Sequence, residues 1–160
     1  MSVRGFAVVA LDGPKTEANL GGALRAAHCF RANMIVVSRE RFRKESTDTT
    51  KAWRHIPVVR NENPLDALPY DCVPVAVDMW QDATPLHEYK HPERAMYIFG
   101  PEDGFVRKEI KERCRDAIFI PTAYCLNLAA TVNVVLYDRL AKNLLQKGEK
   151  VAIAEEMVAA

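Results

Sequence analysis

The 160-residue chain is 49% hydrophobic, enough for one domain with a packed core. Acidic and basic residues nearly cancel to a formal net charge of +1, so only local charge clusters can indicate a partner. The four cysteines form no C-x-x-C pair, which favours reduced thiols and predicts no metal site. No apolar run approaches the ~20 residues that span a bilayer, and the first residues lack the pattern of a signal peptide. We therefore expect a soluble, cytoplasmic protein.

Short apolar runs alternate with segments of helical periodicity in the first half of the chain. Valine-rich Phe6–Leu11 predicts a buried strand, and the apolar spacing within residues 16–30 predicts a helix with one buried stripe. Met34–Ser38 predicts a second strand. Polar and basic Arg39–His55 has no sustained period, which predicts a loop with room for one helical turn. Residues 63–69 predict a short helix or turn.

The same alternation continues to the end of the chain. Three further apolar runs predict buried strands, at Cys72–Met79, Ala95–Phe99 and Asp116–Pro121. Pro74 suggests an edge strand or an early strand position. Residues 106–115 predict an exposed helix, and residues 126–148 a long final helix that is apolar on nearly every side and closed by Gly148. The pattern indicates one α/β domain over residues 1–160, with a mostly parallel sheet flanked by helices.

The helix after the first strand contains residues that a simple core would not favour. Gly21 and Gly22 each cost ~1 kcal/mol relative to alanine in a helix interior. Arg25 lies on the same face and would extend across this surface, which lacks side chains. Asn19 suits the N-cap, where free N–H groups favour an anion or a polar ligand group. Alternatively, Asn19 is only a cap and Arg25 only a surface charge.

The loop "FGPEDG" follows the predicted strand Ala95–Phe99. It has neither the Lys-Ser/Thr of a P-loop nor a G-x-G-x-x-G fingerprint, so by composition alone it is a turn that ends a strand. Its position indicates more, because ligands of parallel α/β sheets bind outside the carboxyl ends of strands. Both interpretations stay open at this point.

Polar residues also interrupt the final apolar helix. Asn127 stands near its start and Asn133 lies within it. Amides buried among apolar side chains need hydrogen-bond partners. The alternative for Asn127 is a capping residue or a local backbone bond.

Together, these three stretches resemble the motifs of the SpoU branch of the SPOUT superfamily of RNA methyltransferases. The segments are "NLGGALRAA", "IFGPEDG" and "FIPTAYCLNLAATVNVVLYDRL", in the expected order between Asn19 and Leu140. The resemblance implies transfer of a methyl group from S-adenosylmethionine to a ribose 2′-hydroxyl of RNA, with tRNA favoured for a chain this short. Methylation of a base, or a cofactor-binding or RNA-binding role without turnover, are the alternatives.

The resemblance also implies a fold that periodicity cannot show. Members of this superfamily form a deep trefoil knot near the C-terminus, here expected over about residues 75–145, although knots are otherwise rare. The loops of the knot cradle the bent cofactor. Members are typically homodimers that pair through the first and last helices, and this chain is expected to be a minimal domain without an added RNA-binding domain.

Individual site residues follow from the resemblance. The residues expected to bind the cofactor, largely through the main chain, are Val77, Gly100, Ile120, Cys125 and Leu126. The residues that match the polar active-site positions are Asn19, Arg25, Glu102 and Asn127. A guanidinium is effectively always protonated, so Arg25 is better suited to orient the nucleotide phosphate and hydroxyl than to act as a base.

Two positions depart from the family pattern. Cys125 stands where the third motif usually has serine, and a thiol is a weaker hydrogen-bond donor. Phe105 stands where the second motif often has glycine, so its ring could narrow the loop or pack beneath it. Neither change removes a charged group of the expected site.

Basic residues cluster after the second strand. The residues expected to contact RNA phosphates are Arg39, Arg41, Arg43 and Lys44. Trp53 or His55 could stack on an unpaired base. The alternative is a solvated charged loop.

Overall fold

Seven strands form a single sheet in the computed structural model, which describes residues 5–42 and 52–148. The strands are β1 (Phe6–Asp12), β2 (Met34–Ser38), β3 (Val58–Asn61), β4 (Val73–Val77), β5 (Thr84–Pro85), β6 (Arg94–Phe99) and β7 (Asp116–Phe119). They lie in the order β3-β2-β1-β6-β4-β7-β5, and each described pairing is parallel. The carboxyl ends of the strands therefore meet at one edge of the sheet.

Helices cover both faces of this sheet. The α-helices are α1 (Glu17–Cys29), α2 (Lys108–Lys111) and α3 (Leu128–Lys147), and the 3₁₀ turns are Ala52–Arg54, Pro64–Ala67 and Leu86–Glu88. None of the helices in residues 5–42 and 52–148 has the length and apolar character needed to cross a bilayer.

Strand β6 shows how the sequence divides the core. Its alternate residues Ala95, Tyr97 and Phe99 pack on one side with α1 and α3. Met96 and Ile98 pack on the other side with Ile110 of α2. All of these side chains are buried, as expected for a central strand of a parallel sheet. The predicted α/β architecture with a mostly parallel sheet is confirmed.

The sequence prediction missed two strands, and one of its two alternatives for Pro74 is wrong. β3 is only partly buried and β5 has two residues, so neither carries a strong apolar pattern. Strand β4 lies between β6 and β7, so the edge position suggested by Pro74 is wrong. Its early position in the strand is confirmed, because the pairing with β7 begins only at Val75.

The helix boundaries need three corrections. Thr16, not Asn19, is the N-cap of α1, and its Oγ1 accepts a hydrogen bond from the Asn19 N–H at 3.3 Å. The helix predicted over residues 106–115 shortens to α2. Helix α3 is not buried on every side, since Tyr137 is 61% exposed. The Gly148 C-cap is confirmed, with a left-handed φ of 61°.

The glycine pair of α1 has a packing role that the sequence did not show. A Cβ on Gly22 would lie 2.7 Å from the Cβ of Ala129 in α3, whereas a Cβ on Gly21 would meet nothing within 4 Å. Gly22 therefore lets α1 and α3 approach closely. Only Gly21 leaves open surface next to Arg25.

These two glycines provide a matched pair of variants. Gly21→Ala should raise the free energy of unfolding by ~0.5–1 kcal/mol, because alanine favours the helix and meets no neighbour. Gly22→Ala should lower it by ~1 kcal/mol or more, because the added methyl forces the two helices apart. Urea denaturation monitored by circular dichroism measures both, and equal effects of the two substitutions would contradict this packing role.

Candidate active site

A cavity of about 330 Å³ opens at the carboxyl edge of the sheet, beside β4, β6 and β7. The loops that follow these three strands form its walls, and the first turn of α3 closes one side. Ligands of open α/β sheets bind outside the carboxyl ends of the strands, and this cavity lies at such an end. The cavity is within the size range of small-molecule sites.

The five residues that the sequence assigns to a cofactor all line this cavity: Val77, Gly100, Ile120, Cys125 and Leu126. The structural reason for a glycine at position 100 differs from the expected one. A Cβ there would lie 2.6 Å from the Val106 nitrogen, so glycine allows the loop to fold back on itself. The loop shape, not only close approach to a ligand, requires glycine at this position.

Three of the four predicted polar residues form one hydrogen-bonded chain. Asn127 caps α3, because its Oδ1 accepts from the N–H groups of Ala129 at 2.9 Å and Ala130 at 3.2 Å. Its Nδ2 donates to Asn19 Oδ1 at 2.8 Å. Asn19 Nδ2 in turn donates to Glu102 Oε1. The capping bond fixes the orientation of the first amide, and each later donor then has one acceptor, so the chain ends on a carboxylate.

The Glu102 carboxylate also accepts from the Lys15 N–H, at 2.9 Å to Oε2. It therefore joins the loop after β1 to the loop after β6. Asn133, the other amide singled out in the sequence, donates to the Ala129 carbonyl at 2.8 Å. Both Asn127 and Asn133 are exposed, so the expectation of buried amides is wrong.

Arg25 lies apart from this chain, six residues after Asn19 on α1. Its side chain is exposed, and it makes no hydrogen bond or ion pair to the other residues that the structure describes. It does not line the cavity. The guanidinium is thus available at the surface to bind an external anion.

Sequence reasoning missed a buried ionic cluster beside the site. Asp12 ends β1 and is fully buried, and Arg107 donates to it through Nε and Nη2, both at 2.9 Å. Arg39 approaches the same carboxylate at 3.4 Å. The hydrogen bond that Arg107 donates to Asp12 is the main reason that the pKa of Arg107 is raised. The only available sequence signal was an aspartate that directly follows a valine-rich strand.

A second missed carboxylate, Asp78, follows β4 and lines the cavity. Its Oδ2 accepts from the Val106 N–H at 2.7 Å and its Oδ1 from the Met79 N–H at 2.8 Å. Burial raises the pKa of Asp78, against the opposing effect of the two N–H donors. Asp12 and Asp78 therefore hold consecutive residues, Arg107 and Val106, from the two strands that flank β6.

The predicted RNA-binding arginines take part in ion pairs in this structure. Arg39 pairs with Asp12, and Arg41 forms a two-point contact with Asp103. The hydrogen bond from Arg41 is the main cause that lowers the pKa of Asp103 to about 2. Arg43 and Lys44 lie outside the described residues.

The two aromatic residues proposed to stack on a base lie at the surface near the start of β3. Trp53 is 54% exposed, and the Arg54 guanidinium lies 5.3 Å from its ring centroid. His55 stacks on His28 of α1, with ring centroids 4.9 Å apart.

The two residues that depart from the family pattern both line the cavity. Cys125 is an exposed free thiol. Phe105 is 62% exposed, and its ring lies 6.0 Å from that of Trp80. Phe105 therefore forms part of the cavity wall and does not pack beneath the loop.

The parallel sheet, with a cavity and a polar cluster at its carboxyl edge, is typical of α/β proteins that bind a small-molecule ligand. The model of the SpoU rRNA Methylase family matches residues 7–137. The chain belongs to this family.

Curated relatives include the 23S rRNA (guanosine-2′-O-)-methyltransferases RlmB of Salmonella typhi and Salmonella typhimurium. Each is 24% identical over 138 residues, which cover 80% of this chain and 57% of the relative. The chain thus spans a little more than half the length of these relatives.

Solved structures share the fold. The SpoU methyltransferase AviRb from Streptomyces viridochromogenes, in complex with AdoMet, aligns with a TM-score of 0.78 at 19% identity, over 89% of this chain and 62% of AviRb. The A. aeolicus TrmH/SpoU tRNA modifying enzyme aligns with a TM-score of 0.77 at 18% identity, over 96% of this chain and 85% of that one. A protein described in work on 2-OH methylation of C/U34 on tRNA aligns with a TM-score of 0.75 at 23% identity, over 91% and 99%.

Proposed function

We propose that this protein transfers a methyl group from S-adenosylmethionine to a ribose 2′-hydroxyl of RNA. The hydrogen-bonded chain Asn127–Asn19–Glu102 is the observation that carries the proposal, because it joins the three family motifs beside one cavity. The curated relatives are named for 2′-O-methylation of a guanosine in rRNA.

The cavity fits the proposed cofactor in size and chemistry. Its volume of about 330 Å³ suits a nucleoside-sized ligand, and apolar residues such as Val77, Ile120 and Leu128 form much of its wall. The carboxylates of Asp78 and Glu102 also line it. These groups suit a cofactor that carries positive charge, and they would hold S-adenosylmethionine at the carboxyl ends of β4, β6 and β7.

When bound, S-adenosylmethionine supplies a methyl group activated by its sulfonium. Within the hydrogen-bonded chain Asn127–Asn19–Glu102, the group that can accept a proton is the Glu102 carboxylate, at one of its oxygens. Asn19 and Lys15 hold this carboxylate in place through hydrogen bonds. Arg25 would orient the nucleotide phosphate and hydroxyl by a charge-assisted fork. Fixing the hydroxyl in a reactive position supplies much of the rate in such a transfer.

We propose tRNA as the substrate. Two structural neighbours that align over most of both chains are described with tRNA, whereas the RlmB relatives act on 23S rRNA. We also propose that the protein works in the cytoplasm, in keeping with an RNA substrate, and cell fractionation with an antibody tests that location.

The RNA proposal predicts a defined loss in cells that lack the protein. Nucleoside mass spectrometry of separated tRNA and rRNA fractions, with and without the gene, should show one 2′-O-methylated nucleoside that disappears from tRNA and returns on complementation. Loss from rRNA would instead indicate an rRNA substrate, as named for the RlmB relatives. Loss of a base-methylated nucleoside, or no loss, would contradict ribose methylation.

Arg25 and the basic residues after β2 should act on RNA and not on the cofactor. Arg25→Ala should lower the turnover of methyl transfer by about 100-fold, because the hydroxyl is no longer oriented. Arg41→Ala should raise the KM for RNA, and we propose the same RNA-binding role for Arg39, Arg43 and Lys44. Neither substitution should change the affinity for S-adenosylmethionine, measured by calorimetry, more than about twofold.

Arg113→Ala is the matched control for Arg25→Ala. Arg113 is also exposed, but it precedes β7 and so lies at the opposite edge of the sheet from the cavity. Its removal should leave turnover unchanged. An Arg25→Ala protein that turns over as fast as the control would remove Arg25 from the mechanism.

We propose that the protein is a homodimer that pairs through α1 and α3. Exposed apolar residues recur on one stripe of α3: Val134, Tyr137 and Leu145 are 38%, 61% and 81% exposed. Burial of such a stripe against a second copy removes apolar surface from water. We also propose the trefoil knot over about residues 75–145, the segment that holds the cavity loops.

The dimer proposal is tested by sedimentation velocity. The wild-type protein should sediment as a particle with twice the 18.0 kDa mass of one chain. Tyr137→Glu should shift it toward the monomer, since a charge would be buried in the interface. Tyr70→Glu is the control, because Tyr70 is 94% exposed and lies outside both helices. A wild-type monomer at micromolar concentration would contradict the proposal.

A further inference from the structure

The residues that line the cavity and carry a formal charge at neutral pH are all acidic. They are Asp78, Glu102 and Asp103, and no lysine, arginine or histidine of the described part of the chain joins them. Such a lining favours a ligand with positive charge.

Asp103 already has cationic partners, whereas Glu102 has neutral hydrogen-bond donors and is exposed to water. Asp103 pairs with Arg41 and with Lys15 Nζ, the latter at 3.5 Å. Glu102 accepts hydrogen bonds from the Lys15 N–H and from Asn19 Nδ2. Neither group therefore needs a ligand to satisfy it.

Asp78 is different, because its carboxylate is half-buried. Like Glu102 it has no ion pair among residues 5–42 and 52–148, but unlike Glu102 it is partly removed from water. Its hydrogen bonds come from two backbone N–H groups, those of Met79 and Val106. A carboxylate oxygen can accept two hydrogen bonds, so each oxygen keeps one free lone pair beside the cavity. A partly desolvated charge without a counter-ion is costly to the folded protein, and a cationic ligand would offset that cost.

We propose that Asp78 is the counter-ion for the positive charge of S-adenosylmethionine, an inference that rests on the proposed function. The cofactor carries two cationic groups, the sulfonium and the α-ammonium. Apolar neighbours of Asp78, including Val77 and Phe105, line the same cavity. Because such walls exclude water, the attraction between a carboxylate and a cation is stronger there.

The competing role for Asp78 is purely structural. Because its Oδ2 holds the Val106 N–H, the carboxylate also fixes the loop that carries Gly100 and Glu102. A structural role affects every ligand of the cavity, whereas a counter-ion affects only charged ligands. The choice of ligand therefore separates the two roles.

The experiment is calorimetric titration of the wild-type protein and of Asp78→Asn with three ligands. S-Adenosylmethionine carries both cationic groups, S-adenosylhomocysteine carries only the α-ammonium, and 5′-methylthioadenosine carries neither. Asp78→Asn should weaken S-adenosylmethionine by about tenfold or more, and 5′-methylthioadenosine by no more than about twofold. A loss shared by S-adenosylhomocysteine assigns the contact to the α-ammonium, and a loss confined to S-adenosylmethionine assigns it to the sulfonium.

Two results would contradict the counter-ion role, and a third would contradict the proposed function. Unchanged affinity for S-adenosylmethionine, or an equal loss for all three ligands, would overturn the counter-ion role. A wild-type protein that binds none of the three would instead contradict the proposed function. Thermal melting checks the fold, and if Asp78→Asn is unfolded at the assay temperature, Asp78→Ser replaces it, since a hydroxyl can still accept from the Met79 N–H.

Discussion

The site depends on how the loop after β6 is held by the two strands beside it. Asp12 at the end of β1 binds Arg107, and Asp78 at the end of β4 binds the Val106 N–H. These two carboxylates fix consecutive residues where the loop ends, while Gly100 lets the loop begin by folding back toward them. Glu102 lies between these fixed points, so its position relative to the Asn19–Asn127 chain follows from them.

Charge is divided between the cavity and the surrounding surface. The formally charged residues of the cavity lining are acidic in the described part of the chain, whereas Arg25, Arg39 and Arg41 do not line the cavity. An acidic interior suits a cationic cofactor, and a basic exterior suits RNA phosphates. The near-zero net charge therefore hides this local separation of charge, so global composition indicated no function.

The sequence predicted the buried strands and the motif residues, since both depend on local patterns. β1, β2, β6 and β7 are continuous apolar runs. The five cofactor candidates come from the motif resemblance, and they line one cavity at the ends of β4, β6 and β7 and just before α3. It could not predict β3 and β5, which are half-exposed or very short. It also missed Asp12, Asp78 and the packing role of Gly22, because each depends on a partner at least 27 residues away in the sequence. The N-cap was misassigned because Thr16 and Asn19 both suit that position.

The most direct test of the account is methyl transfer in vitro with a labelled donor. The purified protein is incubated with unmodified RNA and S-adenosylmethionine bearing a trideuterated methyl group, and the RNA is digested to nucleosides for tandem mass spectrometry. The account predicts that the deuterated methyl group stays with the ribose when the base is cleaved off. Label that leaves with the base, or no label in RNA when the protein binds the donor, would contradict it.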